Sequence, residues 1–314
     1  MSKIWEPSLA YRLLRHYVDA CTLTSYSRFR TEGSIPDQSA VIIAPNHSNT
    51  LLDALVVLRA RNKGIVFGAR ADIFQKPLAA RVLHFLKILP MARERDGAQT
   101  IRSSMYAFDE IDDTLAAGVP FCLFPEGRHR PERILLPIQK GITRIAFRSA
   151  AVRPTCIVPT GINYSDFFNY RGRCLVRYGK PIDVNAFVAA HAGQSEAELH
   201  LALRNEVGNR IQELVIPEGL PARPAMRWLL APLWPFAAIL SLPMWATAET
   251  LCNKIQDKAF SNSIRYMVKL VMTPIMLILW AVVFFLTLPW WGAAALLVMF
   301  LFSYSLFYDL RSVR

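Results

Sequence analysis

Two hydrophobic rhythms alternate along the first 220 positions of the chain. Ala40–Ala44, Gly64–Ala69, Ile88–Met91, Val119–Phe124 and Thr155–Val158 are short, nearly continuous apolar runs. Runs of that length bounded by turn residues read as buried strands. Between them, apolar residues recur at three- and four-residue steps. Ile101, Met105, Phe108, Ile111 and Leu115 form one such series, stopped at Gly118, and Leu199, Leu203, Val207 and Ile211 form another. These spacings predict amphipathic helices. Further helices are expected over Thr50–Arg61, Ile73–Leu86 (with Pro77 in the first turn) and Gln139–Ala150, and a strand over Arg173–Tyr178. Strands alternating with helices predict an α/β domain with a largely parallel sheet flanked by helices, covering residues 1–220. A short N-terminal helix over Ser8–Tyr17 either packs on that domain or lies on a membrane surface.

The rhythm changes from Met226 onward. Trp228–Ala248 is almost entirely apolar but carries Pro232, Pro235 and Pro243. Glu249–Lys269 is polar and charged, and Leu270–Trp291 and Gly292–Tyr308 are again apolar. A spanning helix needs about 20 apolar residues, so residues 226–314 are expected to form a membrane-embedded helical region. Lys254, Lys258, Arg265 and Lys269 precede the last two runs, and Arg311 and Arg314 follow them. The positive-inside rule then makes those runs a hairpin with its tip at Pro289–Gly292 and both ends in the cytoplasm, which puts the α/β domain on the cytoplasmic face. The proline-broken first run is expected to be re-entrant or interfacial.

Composition narrows the class of partner. The 314 residues are 53% hydrophobic and carry a net charge of +12. A basic balance suits anionic lipid, phosphorylated substrates or nucleic acid. No Lys/Arg-rich helix or zinc pattern supports nucleic acid, so a phospholipid membrane is the expected partner. The five cysteines are scattered without CxxC spacing, and they read as reduced thiols facing a cytosolic compartment. The N-terminus has no uninterrupted apolar core of a cleaved signal peptide. No metal-ligand array and no Gly-rich phosphate loop appears, so no metal or bound cofactor is expected.

Candidate chemistry sits where strands end. His47 follows the run Ala40–Ala44, and Asp53 lies six residues on, in the next helix. A histidine with an orienting carboxylate is the arrangement of a general base. Arg93, Glu126, Arg128, Arg130 and Pro159 sit on loops after three other expected strands. In a parallel sheet such loops share the carboxyl edge and can converge on one cleft. A base among guanidinium groups suits deprotonation of a hydroxyl on a phosphate-bearing substrate.

Asn46-His47-Ser48-Asn49-Thr50-Leu51-Leu52-Asp53, Leu89-Pro90-Met91-Ala92-Arg93, Phe124-Pro125-Glu126-Gly127-Arg128 and Ile157-Val158-Pro159 resemble, in order, the four blocks of the glycerophospholipid acyltransferase superfamily. The resemblance covers roughly residues 38–185, and two blocks in the right order and separation are far more specific than either alone. It implies a membrane-bound enzyme that moves a fatty acyl group from acyl-CoA or acyl carrier protein to a hydroxyl of glycerol-3-phosphate or 1-acyl-glycerol-3-phosphate. It further implies that His47 is the base, Asp53 its orienting acid, Arg93 the holder of the acceptor phosphate, Glu126 and Gly127 the acceptor site, and Pro159 a shaper of the acyl-donor side. A lysophospholipid-remodelling enzyme with a larger head group, or a non-catalytic lipid-binding protein of the same fold, are the alternatives.

Two departures stand out. The family usually has four residues between His and Asp, whereas here there are five, and Leu52 takes the usual acid position. Six residues along one straight helix turn the side chain by about 240°, so the pair can meet only if His47 lies on the turn ahead of the helix. After Gly127 the usual Thr-Arg-Ser is replaced by Arg128-His129-Arg130, which leaves Arg128 and Arg130 as competing phosphate contacts.

Overall fold

The computed structural model describes residues 3–37, 40–91, 98–221 and 228–311. In chain order the elements are α1 (Leu9–Leu23), β1 (Arg28–Glu32), β2 (Ala40–Pro45), α2 (Leu51–Arg61), β3 (Val66–Arg70), α3 (Pro77–Phe85), β4 (Ile88–Met91), α4 (Ala98–Ala116), β5 (Phe121–Cys122), α5 (Gly141–Ala150), β6 (Thr155–Tyr164), β7 (Arg173–Tyr178), β8 (Ile182–Asp183), α6 (Val184–Ala190), α7 (Glu196–Leu214), α8 (Trp234–Lys254), α9 (Ser261–Thr287) and α10 (Trp290–Arg311). The eight strands form one sheet in the order β1-β7-β6-β2-β5-β3-β4, with β8 also on β6. All pairings are parallel except those of β6 with β7 and with β8.

The period of two along β2 divides the core. Ala40, Ile42 and Ala44 face one cluster with Ile111 and Leu115 of α4, Ile142, Ile145 and Ala146 of α5, and Leu203, Val207 and Ile211 of α7. Val41 and Ile43 face the other cluster with Phe67, Cys122, Val158 and the α2 residues Val56 and Val57. Covering both faces explains why these strands read as continuous apolar runs rather than as alternating ones. Each fully buried branched side chain contributes roughly 1.5–3 kcal/mol. α7 starts with a capping box between Ser195 and Glu198, which fixes where that helix enters.

A third cluster joins the C-terminal helices to the sheet domain. Ala237, Leu240 and Met244 of α8, Tyr266 and Val268 of α9, and Tyr304, Phe307 and Tyr308 of α10 pack together with Cys21 of α1, Leu52 of α2 and Tyr170. Polar contacts pin the seam. The Tyr17 hydroxyl donates to Leu270 O at 2.8 Å. Lys269 Nζ donates to Thr24 Oγ1 at 2.7 Å. The Arg171 guanidinium forks onto Asp309 at 2.8 and 2.7 Å.

Among the described residues, two helices have the length and hydropathy of membrane spans, Lys258–Thr287 and Trp290–Leu310. Only 11% of the most apolar window of the first is buried, so it is not the core helix of a globular domain. Ile275, Ile278, Val282, Phe285 and Leu286 of α9 lie exposed. The proline-broken run differs from a span. Pro232 lies in a 3-10 stretch at Trp228–Leu233, Pro235 in the first turn of α8 and Pro243 inside it.

Three expectations shift and one strand is unexpected. The apolar pattern does not predict β1, because Arg-Phe-Arg-Thr-Glu is an edge with polar residues on both faces. The strand expected at Val119–Phe124 shrinks to Phe121–Cys122. The loop expected at Pro159–Asn163 is the second half of β6. Pro159 is tolerated because it lies between the segment of β6 that pairs with β8 and the segment that pairs with β7, where no ladder donor is required on that edge. The N-terminal helix runs further than expected, to Leu23. Its second half packs on α9 while Leu9 and Leu13 stay exposed.

Candidate active site

β2 and β5 end side by side in the middle of the sheet, and the chain after each turns across the same edge. β2 ends at Pro45, while its partner β6 runs on. Asn46 bridges the step, because its Oδ1 accepts the Ile162 N–H at 2.6 Å and its Nδ2 donates to Ile162 O at 3.1 Å. This amide continues the ladder for one residue and delivers His47 to the edge.

His47 and Asp53 meet. Nδ1 of His47 lies 2.8 Å from Asp53 Oδ2. Asp53 is completely buried. The same Oδ2 accepts the Asn49 N–H at 2.6 Å, and Oδ1 accepts the Tyr164 hydroxyl at 2.7 Å. Three donors converging on one carboxylate hold it in place. Burial and the Asp53 charge push the Tyr164 phenol well above its ordinary range, so it stays a donor. With Nδ1 engaged as donor to the carboxylate, Nε2 is the basic nitrogen of the ring. The imidazole is partly exposed, with 19% of its side chain open to solvent, and stacks on Phe124 at 4.3 Å between centroids.

The extra residue between His47 and Asp53 is absorbed in a turn. Leu52 N–H bonds Asn49 O at 3.1 Å, and Thr50 has φ 49° and ψ −126°. Those are the dihedrals of the first central position of a type II′ turn, which glycine dominates. His47 therefore sits ahead of the helix and Asp53 in its first turn, as the six-residue spacing requires.

Glu126 holds this turn from the neighbouring strand. Its Oε1 accepts the His47 backbone N–H at 2.6 Å and its Oε2 accepts the Leu136 N–H at 2.8 Å. Burial pushes its carboxyl up from the ordinary value, opposed by the two backbone donors and by His47. Both oxygens thus face backbone donors, which gives Glu126 a structural hold on the histidine turn. Gly127 follows at φ +68°, a left-handed position that admits the sharp turn after β5. Arg128 is exposed. Arg130 is half-buried, pairs with Glu132 at 3.1 Å and ties its backbone N–H to His47 O at 3.1 Å. Pro159 lies buried inside β6 in register with Ala44, one residue before the end of β2 that leads into Asn46 and His47. Arg93 lies outside the described residues. Of the sequence-predicted residues, His47, Asp53, Glu126 and the Arg130 backbone are joined by hydrogen bonds.

Residues that the sequence did not flag complete the arrangement. Asn46 and Tyr164 had no signal beyond being polar groups at the ends of apolar strands. His129 stands 5.8 Å from the His47 ring, edge-on, and its Nε2 lies 3.3 Å from Asp257 in the α8–α9 connection. Its position, where the family pattern has arginine, was the available signal. The site as a whole presents a basic imidazole nitrogen backed by a buried acid at a half-open edge, a constellation able to take a proton from a hydroxyl. Among the described residues no group of three or more His, Cys, Asp or Glu could hold a metal ion.

Comparison with known proteins places this geometry in a context. A family model described as Acyltransferase matches residues 27–163. An uncharacterized acyltransferase of Schizosaccharomyces pombe is 28% identical over 82 residues, covering 25% of this chain and 12% of that protein. Glycerol-3-phosphate O-acyltransferase 2 of Saccharomyces cerevisiae is 32% identical over 97 residues, covering 30% of this chain and 12% of that protein. The match therefore spans only a small part of either yeast relative. Among solved structures, the 1-acyl-sn-glycerophosphate (LPA) acyltransferase PlsC from Thermotoga maritima aligns with a TM-score of 0.45 at 19% identity, over 65% of this chain and 78% of that one.

Proposed function

We infer, for a chain that belongs through residues 27–163 to the glycerophospholipid acyltransferase superfamily, that it transfers a fatty acyl group from an acyl thioester to a hydroxyl of glycerol-3-phosphate or 1-acyl-glycerol-3-phosphate at a membrane surface. The observation that carries the reading is the 2.8 Å contact of His47 Nδ1 with a fully buried Asp53 inside the family-matched segment.

His47 Nε2 takes the proton of the acceptor hydroxyl as its oxygen attacks the thioester carbonyl carbon. Asp53 stabilises the imidazolium that forms. The tetrahedral intermediate collapses with cleavage of the carbon–sulfur bond. The departing thiolate of coenzyme A or acyl carrier protein recovers the proton from His47. Ester and free thiol are the products, and the imidazole is regenerated. The step uses side chains alone and needs no bound cofactor. Arg93, Arg128 and Arg130 are the candidate acceptor-phosphate contacts, with Glu126 and Gly127 shaping the acceptor turn and Pro159 the donor side.

Residues 1–220 form the catalytic unit in this reading and 226–314 the anchor. α9 and α10 cross the bilayer as a hairpin whose exposed Trp290 and Trp291 sit at the far interface. The basic ends stay cytoplasmic, and the catalytic edge opens toward the inner leaflet, where a lipid acceptor or product resides. The hydrophobic exposure of α9 supports this arrangement.

The test is acyl transfer by purified protein, offering one acyl-CoA with glycerol-3-phosphate, lysophosphatidic acid and lysophosphatidylcholine side by side. Turnover on one of the first two, abolished in His47→Ala without loss of folding or membrane attachment, is the expected result. Turnover on lysophosphatidylcholine alone would replace this reading with the remodelling one. Failure with both acyl-CoA and acyl carrier protein donors would leave a lipid-binding protein.

A further inference from the structure

The turn that carries the catalytic pair is built at a cost that the turn itself does not repay. Thr50 is β-branched and sits in a backbone region where glycine belongs. Non-glycine residues in such regions cost about 1–3 kcal/mol and persist only where the surroundings enforce them. A threonine directly before a helix ordinarily uses its hydroxyl to cap the first turn. Here the hydroxyl makes no cap bond to α2. It bonds instead to the Ser263 hydroxyl at 2.5 Å, and both residues are buried, at 5% and 4% exposure.

Ser263 belongs to the first turn of α9, the helix that leads into the candidate span. The turn of α9 is itself anchored to the sheet domain, because Asn262 Nδ2 donates to Phe167 O at 2.7 Å and Arg265 Nη1 to Phe168 O at 2.7 Å. Immediately before it, Asp257 and Phe260 contact His129, whose ring stands edge-on to His47. The α8–α9 connection and the first turn of α9 therefore meet the catalytic edge at two places, His129 and the Thr50 turn.

We propose that Ser263 is a positioning residue for the reaction: through its bond to Thr50 the first turn of α9 sets the II′ turn that brings Asp53 back to His47. The proposal rests on the transferase reading. In it the C-terminal helices do more than hold the enzyme at the bilayer, because they enforce the one-residue-longer spacing of the histidine–aspartate pair. The six-residue spacing and the α9 contact are two parts of one device.

The test is a double-mutant cycle on the full-length protein in phospholipid nanodiscs, with Thr50→Val and Ser263→Ala as the single changes. Each is expected to lower kcat by about five- to tenfold, the scale of one buried hydrogen bond, with acceptor KM unchanged. The double variant is expected to be no slower than either single one, since both remove the same bond. Thr50→Ser and Ser263→Thr, which keep the hydroxyls, restore turnover. Thr50→Gly is diagnostic. It lets the II′ turn form without the Ser263 bond, so its kcat is expected to exceed that of Thr50→Val and to be unchanged when Ser263→Ala is added, a rescue that a merely structural contact does not produce. Wild-type kcat in Ser263→Ala, or additive losses in the double variant, overturn the proposal and leave the transferase reading intact. No transfer by the wild type on any acceptor overturns the transferase reading itself.

Discussion

Replacing Asp53 by asparagine separates the chemistry of this site from its folding. Asp53 is fully buried and receives three donors, the His47 Nδ1–H, the Asn49 N–H and the Tyr164 hydroxyl. An asparagine has one acceptor oxygen and one amide donor. With its oxygen in the place of Oδ2 it still accepts from His47 and from Asn49. Its amide then faces Tyr164, whose hydroxyl can rotate to accept. All three contacts survive in that one orientation, so the ring keeps its tautomer and the fold is expected to lose no more than about 1 kcal/mol, the net worth of one ordinary hydrogen bond. What disappears is the negative charge facing the imidazolium. At a charge separation of about 5 Å and an effective permittivity of about 20, that attraction is worth about 3 kcal/mol. The loss in kcat is then about two-hundredfold. The assay is thiol release from acyl-CoA in the presence of acceptor, alongside thermal unfolding in the same detergent. A variant that keeps a third or more of the wild-type kcat would refute the role given to the carboxylate. A variant that unfolds would refute the hydrogen-bond argument.

Glu126→Gln should behave in the opposite way. Its two oxygens face backbone N–H groups of His47 and Leu136, which cannot reverse as a hydroxyl can. One amide N–H must oppose another donor, so about 1–3 kcal/mol of stability is expected to be lost, and chemical denaturation should rank it below Asp53→Asn. Alkaline pH should weaken the fold through its buried thiols. Burial holds Cys122 and Cys174 well above the ordinary thiol value of 9.0. In the native state they keep their protons, while in the unfolded chain they ionise as pH rises past that value, so the unfolded state binds fewer protons and stability falls. Each thiol contributes a slope of about 1.4 kcal/mol per pH unit. Unfolding midpoints under reducing conditions between pH 7 and 10.5 should show this slope, and Cys122→Ala should remove its share. A profile unchanged by the substitution would contradict the assignment.

The pattern of apolar residues was enough to place the central strands, because β2, β5 and β6 are covered on both faces and their sequences are correspondingly continuous. It failed where local composition and tertiary role diverge. β1 is an edge strand paired with β7, and nothing in Arg-Phe-Arg-Thr-Glu marks a strand. β6 runs through Pro159 because the switch from β8 to β7 happens there, a property of the whole sheet and not of the residues around the proline. At the site, His47 and Asp53 could be read from type and spacing. The uses of Tyr164, which donates to Asp53, and of Asn46, which ties the start of the histidine turn to Ile162 of β6, could not, since a polar residue at a strand end has many possible uses and its contacts depend on which strand lies next to it.

The one-residue departure in the His–Asp block shows how such a mismatch can be informative. From spacing alone it counted against a built dyad, because on a single helix the two side chains would point apart. The chain resolves it with a type II′ turn at a threonine, a conformation that local sequence does not favour. A locally disfavoured turn must be stabilised from elsewhere, and the contact found there comes from Ser263, more than two hundred residues away at the foot of an apolar helix. The link joins the two features that composition alone kept apart, a catalytic edge in an α/β domain and a hydrophobic hairpin. On the transferase reading, coupling them has a use: if the turn forms correctly only when the first turn of α9 is docked, the competence of His47 depends on the same helix that is proposed to enter the bilayer.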